Sequence, residues 1–258
     1  VASGLSGPRR PYTGSVRDAL LGVKIINGQG QILQFGGQVM KNVAGYDLSR
    51  LMSGAMGTLG VLLEVSFKLR PLPACEKTLR WKMDRGSALQ QLRLWHRDPS
   101  NFSASAYDGK HLYLRISGDE QSVDKTIRSM DGMQLSQHED FWRELKNHQH
   151  PWFETEQSIW RISTKPSVPL SLPDGDYLLE WAGGIRWLKT DLRAEIIRET
   201  VAKQGGHATL FSAGSNENTA KEERFQPLNS ALFQLHKNVK HSLDPKGIFN
   251  PGRLYQEL

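Results

Sequence analysis

The sequence predicts an α+β fold in more than one part, with antiparallel strands and amphipathic helices in separate stretches, and three observations carry that prediction. Val61, Leu63, Val65, Phe67 and Leu69 alternate with Leu62, Glu64, Ser66, Lys68 and Arg70, the period of a strand with one apolar face. The runs Phe102–Tyr107 and His111–Ile116 are joined by Asp108-Gly109, a hairpin signal. Around them, Ala88, Leu92 and Trp95, and again Val123, Ile127 and Met130, recur at helical spacing. The order after Pro73 is therefore βαββα, which calls for an antiparallel sheet with helices on one side.

Taken in order, Gly22–Ile26 and Gln31–Phe35 read as a hairpin turning at Asn27-Gly28. Gly28 and Gly30 lack the third glycine and following helix of a dinucleotide fingerprint, so they are a turn. Asp47 is placed to cap a short helix through Leu48, Leu51 and Met52, stopped by Gly54. The G-T-L-G at Gly57–Gly60 makes a tight turn into the alternating strand, read as buried, which Pro71 and Pro73 end. Amides freed at such a turn can face phosphate oxygens, although glycine turns are more often plain turns. Residues 133–173, rich in Gln, His, Pro and Trp, read as a loop-rich insertion. Leu192, Ile196 and Val201 line a helix ending at Gly205-Gly206, before a strand His207–Phe211 and an exposed loop from Ser212 to Glu223. A last helix shows Leu232, Leu235, Val239 and Leu243 as its buried stripe. Trp160, Trp181 and Trp187 sit in strand-like runs, as core residues or as the wall of a ligand site.

Composition bounds the function. At 258 residues, with 38% hydrophobic and 23% charged side chains, the chain is an ordinary globular one with room for two lobes. No apolar run approaches the roughly 20 residues that span a bilayer. The net charge of +6 comes from basic residues spread along the chain without any nucleic-acid motif, so no nucleic-acid partner is expected. Arg9 and Arg10, between Pro8 and Pro11, either contact a phosphate, a carboxylate or an acidic partner surface, or are solvated loop charges. The single Cys75 excludes an internal disulfide and a cysteine-held cluster. The histidines form no metal signature: His148 and His150 flank Gln149, and His236 and His241, five apart, do not share a helix face. Glu180 and Lys41 are the charges that look buried.

Three separated motifs resemble one family. K-N-V-A-G-Y-D-L at Lys41–Leu48, G-T-L-G-V at Gly57–Val61 and L-D-P-K-G-I-F-N-P-G-R-L at Leu243–Leu254 are similar to the FAD-binding PCMH-type, vanillyl-alcohol-oxidase-like flavoproteins. Within that family the chain most resembles the FAD-binding subunits of bacterial glycolate oxidases, through S-G-P-R-R-P-Y-T-G-S-V-R-D at Ser6–Asp18 and Q-G-G-H-A-T-L-F-S-A-G at Gln204–Gly214. The resemblance implies a second subdomain of an FAD-binding domain at 1–73, a cap domain at 74–240 and a return segment at 241–258. It implies that roughly a hundred residues, about half or more of a normal domain, precede Val1 and carry the pyrophosphate loop, leaving apolar surface bare where they would dock.

For the cofactor, FAD, the resemblance places Ser3, Gly4 and Gly7 near the ring or pyrophosphate, and Ser15 and Val16 as backbone contacts to the ring. Gly57, Thr58 and Val61 fall on the ADP side, and Asn250 closes the site. Met56 departs from the Glu that many relatives carry there. No catalytic residue is assigned, and only His207 remains where catalytic relatives are His-rich. The implied partners are a catalytic flavoprotein subunit and an iron–sulfur subunit, acting together on glycolate or a related 2-hydroxy acid. The implied location is the cytoplasm or, through the complex, the inner-membrane surface. A stand-alone FAD-dependent 2-hydroxy-acid dehydrogenase and a flavin-free assembly subunit are the alternatives.

Overall fold

A computed structural model describes residues 1–37, 47–97, 101–168 and 173–258; Lys41 and most of the Lys41–Leu48 motif lie outside the described residues. Its strands are β1 (Leu20–Ile26), β2 (Ile32–Gly36), β3 (Val61–Phe67), β4 (Cys75–Lys82), β5 (Phe102–Tyr107) and β6 (His111–Gly118). They continue as β7 (Met133–Gln134), β8 (Ile159–Ser163), β9 (Asp176–Glu180), β10 (Ile185–Lys189) and β11 (His207–Ser212). The chain divides into two compact units: Val1–Ser6, Gly14–Pro71 and Pro227–Leu258 form the first, and Gly7–Thr13 with Leu72–Gln226 form the second. Residues Gly7–Thr13 thus belong to the unit that holds the large sheet, and the last helix, Ser230–Leu243, lies wholly in the first.

The first unit is built on a three-stranded antiparallel sheet in the order β2-β1-β3. Asn27 closes the β1–β2 hairpin by accepting from the amides of Gln29 and Gln31 at 3.0 and 2.9 Å. Asp47 caps the helix Leu48–Leu51 by accepting from the Arg50 amide at 3.1 Å, and Gly54 ends it at φ 86°. Leu20, Val23 and Ile25 pack with Met52, Ala55, Leu59 and Leu243.

Two expectations for this unit need correction. The alternation of β3 is present, but the strand is not buried: Val61, Leu63, Val65 and Phe67 are 37–48% exposed. β3 lies at the sheet edge, and among the described residues that face has no covering layer. In the last helix, Leu243 is buried and Val239 partly so, while Leu232 and Leu235 are 45% and 55% exposed. The helix meets the core only in its final turns, where Lys240 shares the buried stripe. Leu63→Thr should therefore change the unfolding free energy by less than about 1 kcal/mol, where truncating a buried leucine costs about 2–5. Urea denaturation checks this.

The second unit holds one antiparallel sheet in the order β11-β8-β10-β9-β5-β6-β4-β7. The helices Arg85–Arg97, Glu120–Ser129 and Ala194–Ala202 bury Leu92, Val123 and Ile197 against one of its faces, where Leu114, Trp160 and Leu188 meet them. The other face packs Ala106, Leu178 and Trp187 against Trp142, Leu145 and Trp152. Those last three lie in the stretch expected to be a loop-rich insertion, which instead contains a helix, His138–Lys146, and the interior strand β8. Its polar and aromatic composition hides a nine-residue helix whose inward face is carried by Trp142 and Leu145. In Ala194–Ala202 the inward residue is Ile197, with Ile196 turned out. Trp160 and Trp187 are core; Trp181 is only partly buried.

Candidate functional site

In the first unit the predicted residues gather around the turn before β3. Gly54, Met56 and Gly57 all have left-handed backbone, at φ 86°, 54° and 73°. Met56 is a non-glycine residue in that region, a strain that surrounding contacts must hold. Its amide donates to Ala2 O at 2.8 Å, and its carbonyl accepts from Asn250 Nδ2 at 2.8 Å. The Gly54 amide donates to Val1 O at 3.2 Å. The N-terminal strip, the glycine turn and Asn250 thereby form one cluster.

The glycines are required here by close packing within the chain. A Cβ on Gly57 would stand 2.8 Å from Asn250 Nδ2, one on Gly4 would stand 2.8 Å from the Gly54 Cα, and one on Gly60 would stand 2.7 Å from Ile26 O. Thr58 is buried with its hydroxyl donating to Ala55 O at 2.7 Å, so its side chain faces the core. Beside the turn runs an open groove of about 270 Å³, lined by Ala2, Gly57, Gly60, Val61, Phe249 and Asn250 among others. The Gly57 amide donates no hydrogen bond among the described residues.

The remaining predicted residues have other surroundings. Ser15 is committed locally, its amide and hydroxyl both donating to Asp18 Oδ2 at 2.7 and 2.8 Å, with Val16 opening the four-residue helix that follows. Ser3 is exposed. Gly7 belongs to the second unit, where the Lys146 stem packs against it and its carbonyl accepts from Trp181 Nε1 at 3.1 Å.

Sequence reasoning missed the group that fastens the turn from below. Lys240 Nζ, buried, donates to Asp244 Oδ2 at 2.7 Å, Thr58 O at 2.8 Å and Phe249 O at 2.7 Å. Asp244 also accepts from the amides of Ile248 and Phe249. Burial pushes the Asp244 carboxyl up, but Lys240 and these amides outweigh it and hold it below the usual carboxylate range. The available signal was the i,i+4 pair just before a Pro-Lys-Gly turn.

A second cluster lies on the second unit's sheet, on the face opposite its main helices. Glu76 accepts from Arg9, Arg115 and the Ser117 hydroxyl. Burial pushes Glu76 up, and these donors together hold it low. Arg9 is thus not a solvated loop charge, and it pins the strip Gly7–Thr13 to the sheet. Arg10 next to it stands over the Trp181 ring, 4.4 Å from the centroid. Arg161 of β8 stands 5.1 Å from the same centroid and 5.9 Å from that of Trp187, its cross-strand partner. Glu180 is buried, accepts from Trp187 Nε1 at 2.6 Å, and is pushed up to about 7 by burial, which that bond and Arg161 only partly offset. His148 and His207 titrate below the ordinary value, through burial and then the Arg161 charge.

No protein-family model matches the chain. It is 43% identical over all 258 residues to the glycolate oxidase subunit GlcE of Escherichia coli, spanning 71% of that protein. It is 46% identical over 66 residues to the glycolate oxidase subunit GlcD of Bacillus subtilis, 26% of this chain and 14% of that one. Among solved structures it superposes on p-cresol methylhydroxylase with TM-score 0.62 at 13% identity, covering 93% of this chain and 65%, just under two thirds, of the other. The last likeness shows a shared fold.

Proposed function

The chain belongs to the GlcE subunit family of glycolate oxidases, and from that premise we propose that it is an FAD-binding flavoprotein subunit of a glycolate oxidase complex, taking part in oxidation of glycolate to glyoxylate. The observation that carries this reading is the 43% identity running through the entire chain. The glycine turn agrees with it, offering an open groove, an unused Gly57 amide and a rigid left-handed backbone at the edge of a sheet.

FAD, when bound, supplies the acceptor for the electrons of the 2-hydroxy acid. Gly57, with its amide, and Val61, on the groove wall, are the residues proposed to hold it. Gly4 and Thr58 act by shaping the turn. Asn250 holds Met56 and so keeps the Gly57 amide oriented. Ser3 and Gly7 remain proposed near the ring or pyrophosphate, and Ser15 and Val16 as backbone contacts to the ring, with the Ser15 amide already engaged by Asp18. The proposed partners are a catalytic flavoprotein subunit and an iron–sulfur subunit. Among the described residues no helix is long and apolar enough to cross a membrane; attachment to the inner-membrane surface through the complex belongs to the same proposal.

Gly57→Val tests the placement, because a β-branched residue is strained at φ 73° and its Cβ would displace Asn250. The expected result is that the full subunit retains flavin absorbance after removal of free FAD, and that the variant retains at least tenfold less. Equal retention by the variant would overturn the placement at the turn. No flavin in either protein would overturn the FAD reading.

A further inference from the structure

Within the second unit, Arg10 and Arg161 gather around Trp181. Arg161 is largely desolvated, which lowers its pKa, yet among the described residues its guanidinium donates no hydrogen bond and forms no ion pair. A desolvated guanidinium, with five donors and no acceptor, is costly unless something anionic completes it. Glu180, the acid whose charge acts on Arg161, forms no ion pair with it and gives one of its two oxygens to Trp187. With Glu180 raised to about 7, that acid is largely uncharged just below neutral pH. The surroundings are rigid. Arg161 lies opposite Trp187 in the β8–β10 ladder, and Trp187 packs against His148, Phe153 and Phe211 with centroids 5.0–5.3 Å apart.

Trp181 itself is held in a strained position. Trp181 and Ala182 both have φ 56°, two consecutive non-glycine residues in the left-handed region. The Ala182 amide donates to Ser105 Oγ at 3.2 Å, Arg186 Nε donates to Gly183 O at 3.1 Å, and Trp181 Nε1 donates to Gly7 O at 3.1 Å. The Gly7 contact and the Arg9–Glu76 pair bring Arg10 over the same ring. A turn strained in this way and fastened at three points presents a fixed aromatic surface with two cations beside it.

We propose that Arg161, on its Trp181–Trp187 platform, is a binding site for the carboxylate of a small 2-hydroxy or 2-oxo acid carried by this subunit itself. The guanidinium fork matches a carboxylate in bidentate fashion, the indole faces exclude water from the pair, and Arg10 adds to the attracting field. Glu180 on the same face, while protonated, can donate to a second oxygen of the acid. The choice of acid rests on the glycolate oxidase reading; the site does not depend on bound flavin.

Calorimetric titration of the full subunit with glycolate, its neutral amide and inorganic phosphate tests this, with flavin content recorded on the same samples. Saturable glycolate binding is expected, with the amide at least tenfold weaker and phosphate weaker than glycolate. Arg161→Gln should weaken glycolate binding at least tenfold, and Arg161→Lys, which keeps the charge but loses the fork, several-fold. The lysine variant decides the matter if the glutamine variant does not fold. Absence of glycolate binding, equal binding of the amide or phosphate, or wild-type affinity in a folded Arg161 variant would overturn the site. A subunit that binds glycolate but no FAD would leave the site standing while overturning the cofactor reading.

Discussion

Replacing Lys240 with methionine is expected to destabilise the protein by about 3–5 kcal/mol, because it leaves Asp244 as an uncompensated buried charge. All three ammonium protons of Lys240 are used, on Asp244 and on the carbonyls of Thr58 and Phe249. One side chain therefore ties the end of the last helix to the glycine turn and to the loop that brings Asn250 onto Met56. Methionine fills a similar volume, so the loss reports the charge and hydrogen bonds more than a cavity. Asp244→Asn combined with the lysine change should recover part of the loss, since removing both charges avoids the stranded one. The pH dependence has a defined sign. The Asp244 carboxyl is held below its unfolded value, so its contribution is present above that value and is lost as pH falls through the folded one. Denaturant unfolding checks each point, and a loss below about 1 kcal/mol for Lys240→Met would mean that the pair is well solvated.

Legibility in the sequence followed how local each feature is. The β5–β6 hairpin, the Asp47 cap and the alternation of β3 are set by neighbours within a few residues, and they appear where the spacing puts them. The bare face of β3 was not readable as bare, because alternation shows which side chains share a face and says nothing of what covers it. The exposed first turns of the last helix follow the same logic, since Leu232 and Leu235 keep their period without meeting a core. In residues 133–173 the run around Trp160 was strand-like, but nothing local to it showed that it would lie inside the large sheet with Arg161 against Trp187. At the site, the motif glycines were visible, whereas the Asn250 contact that makes Gly57 necessary spans nearly the whole chain. Arg161 was passed over for the same reason: its environment is assembled from β8, β9, β10 and the Gly7–Thr13 strip.

Glu180→Gln is expected to make the protein more stable than wild type at pH 8, by about 3 kcal/mol. Burial raises the Glu180 carboxyl from its ordinary 4.5 to about 7, so between those values the folded state binds more protons than the unfolded one. Stability from this residue is therefore fully present below about 4.5 and is lost as pH rises through about 7. Glutamine offers Trp187 Nε1 an acceptor and never ionises, so the variant should lack this fall. Unfolding curves taken across this range compare the two, and parallel profiles would show that Glu180 titrates as an exposed carboxylate does. The same titration acts on the cation beside it. Once ionised, Glu180 competes for Arg161, so glycolate affinity should fall through about pH 7 in the wild type and stay level in Glu180→Gln. The other groups facing Arg161 are the same in both proteins: Arg10, and His148 and His207, which burial and then the Arg161 charge hold below the ordinary histidine value, are all kept in Glu180→Gln. A fall in affinity that persists in the glutamine variant would place the controlling proton on the ligand or elsewhere in the protein, and would separate the carboxylate site from Glu180.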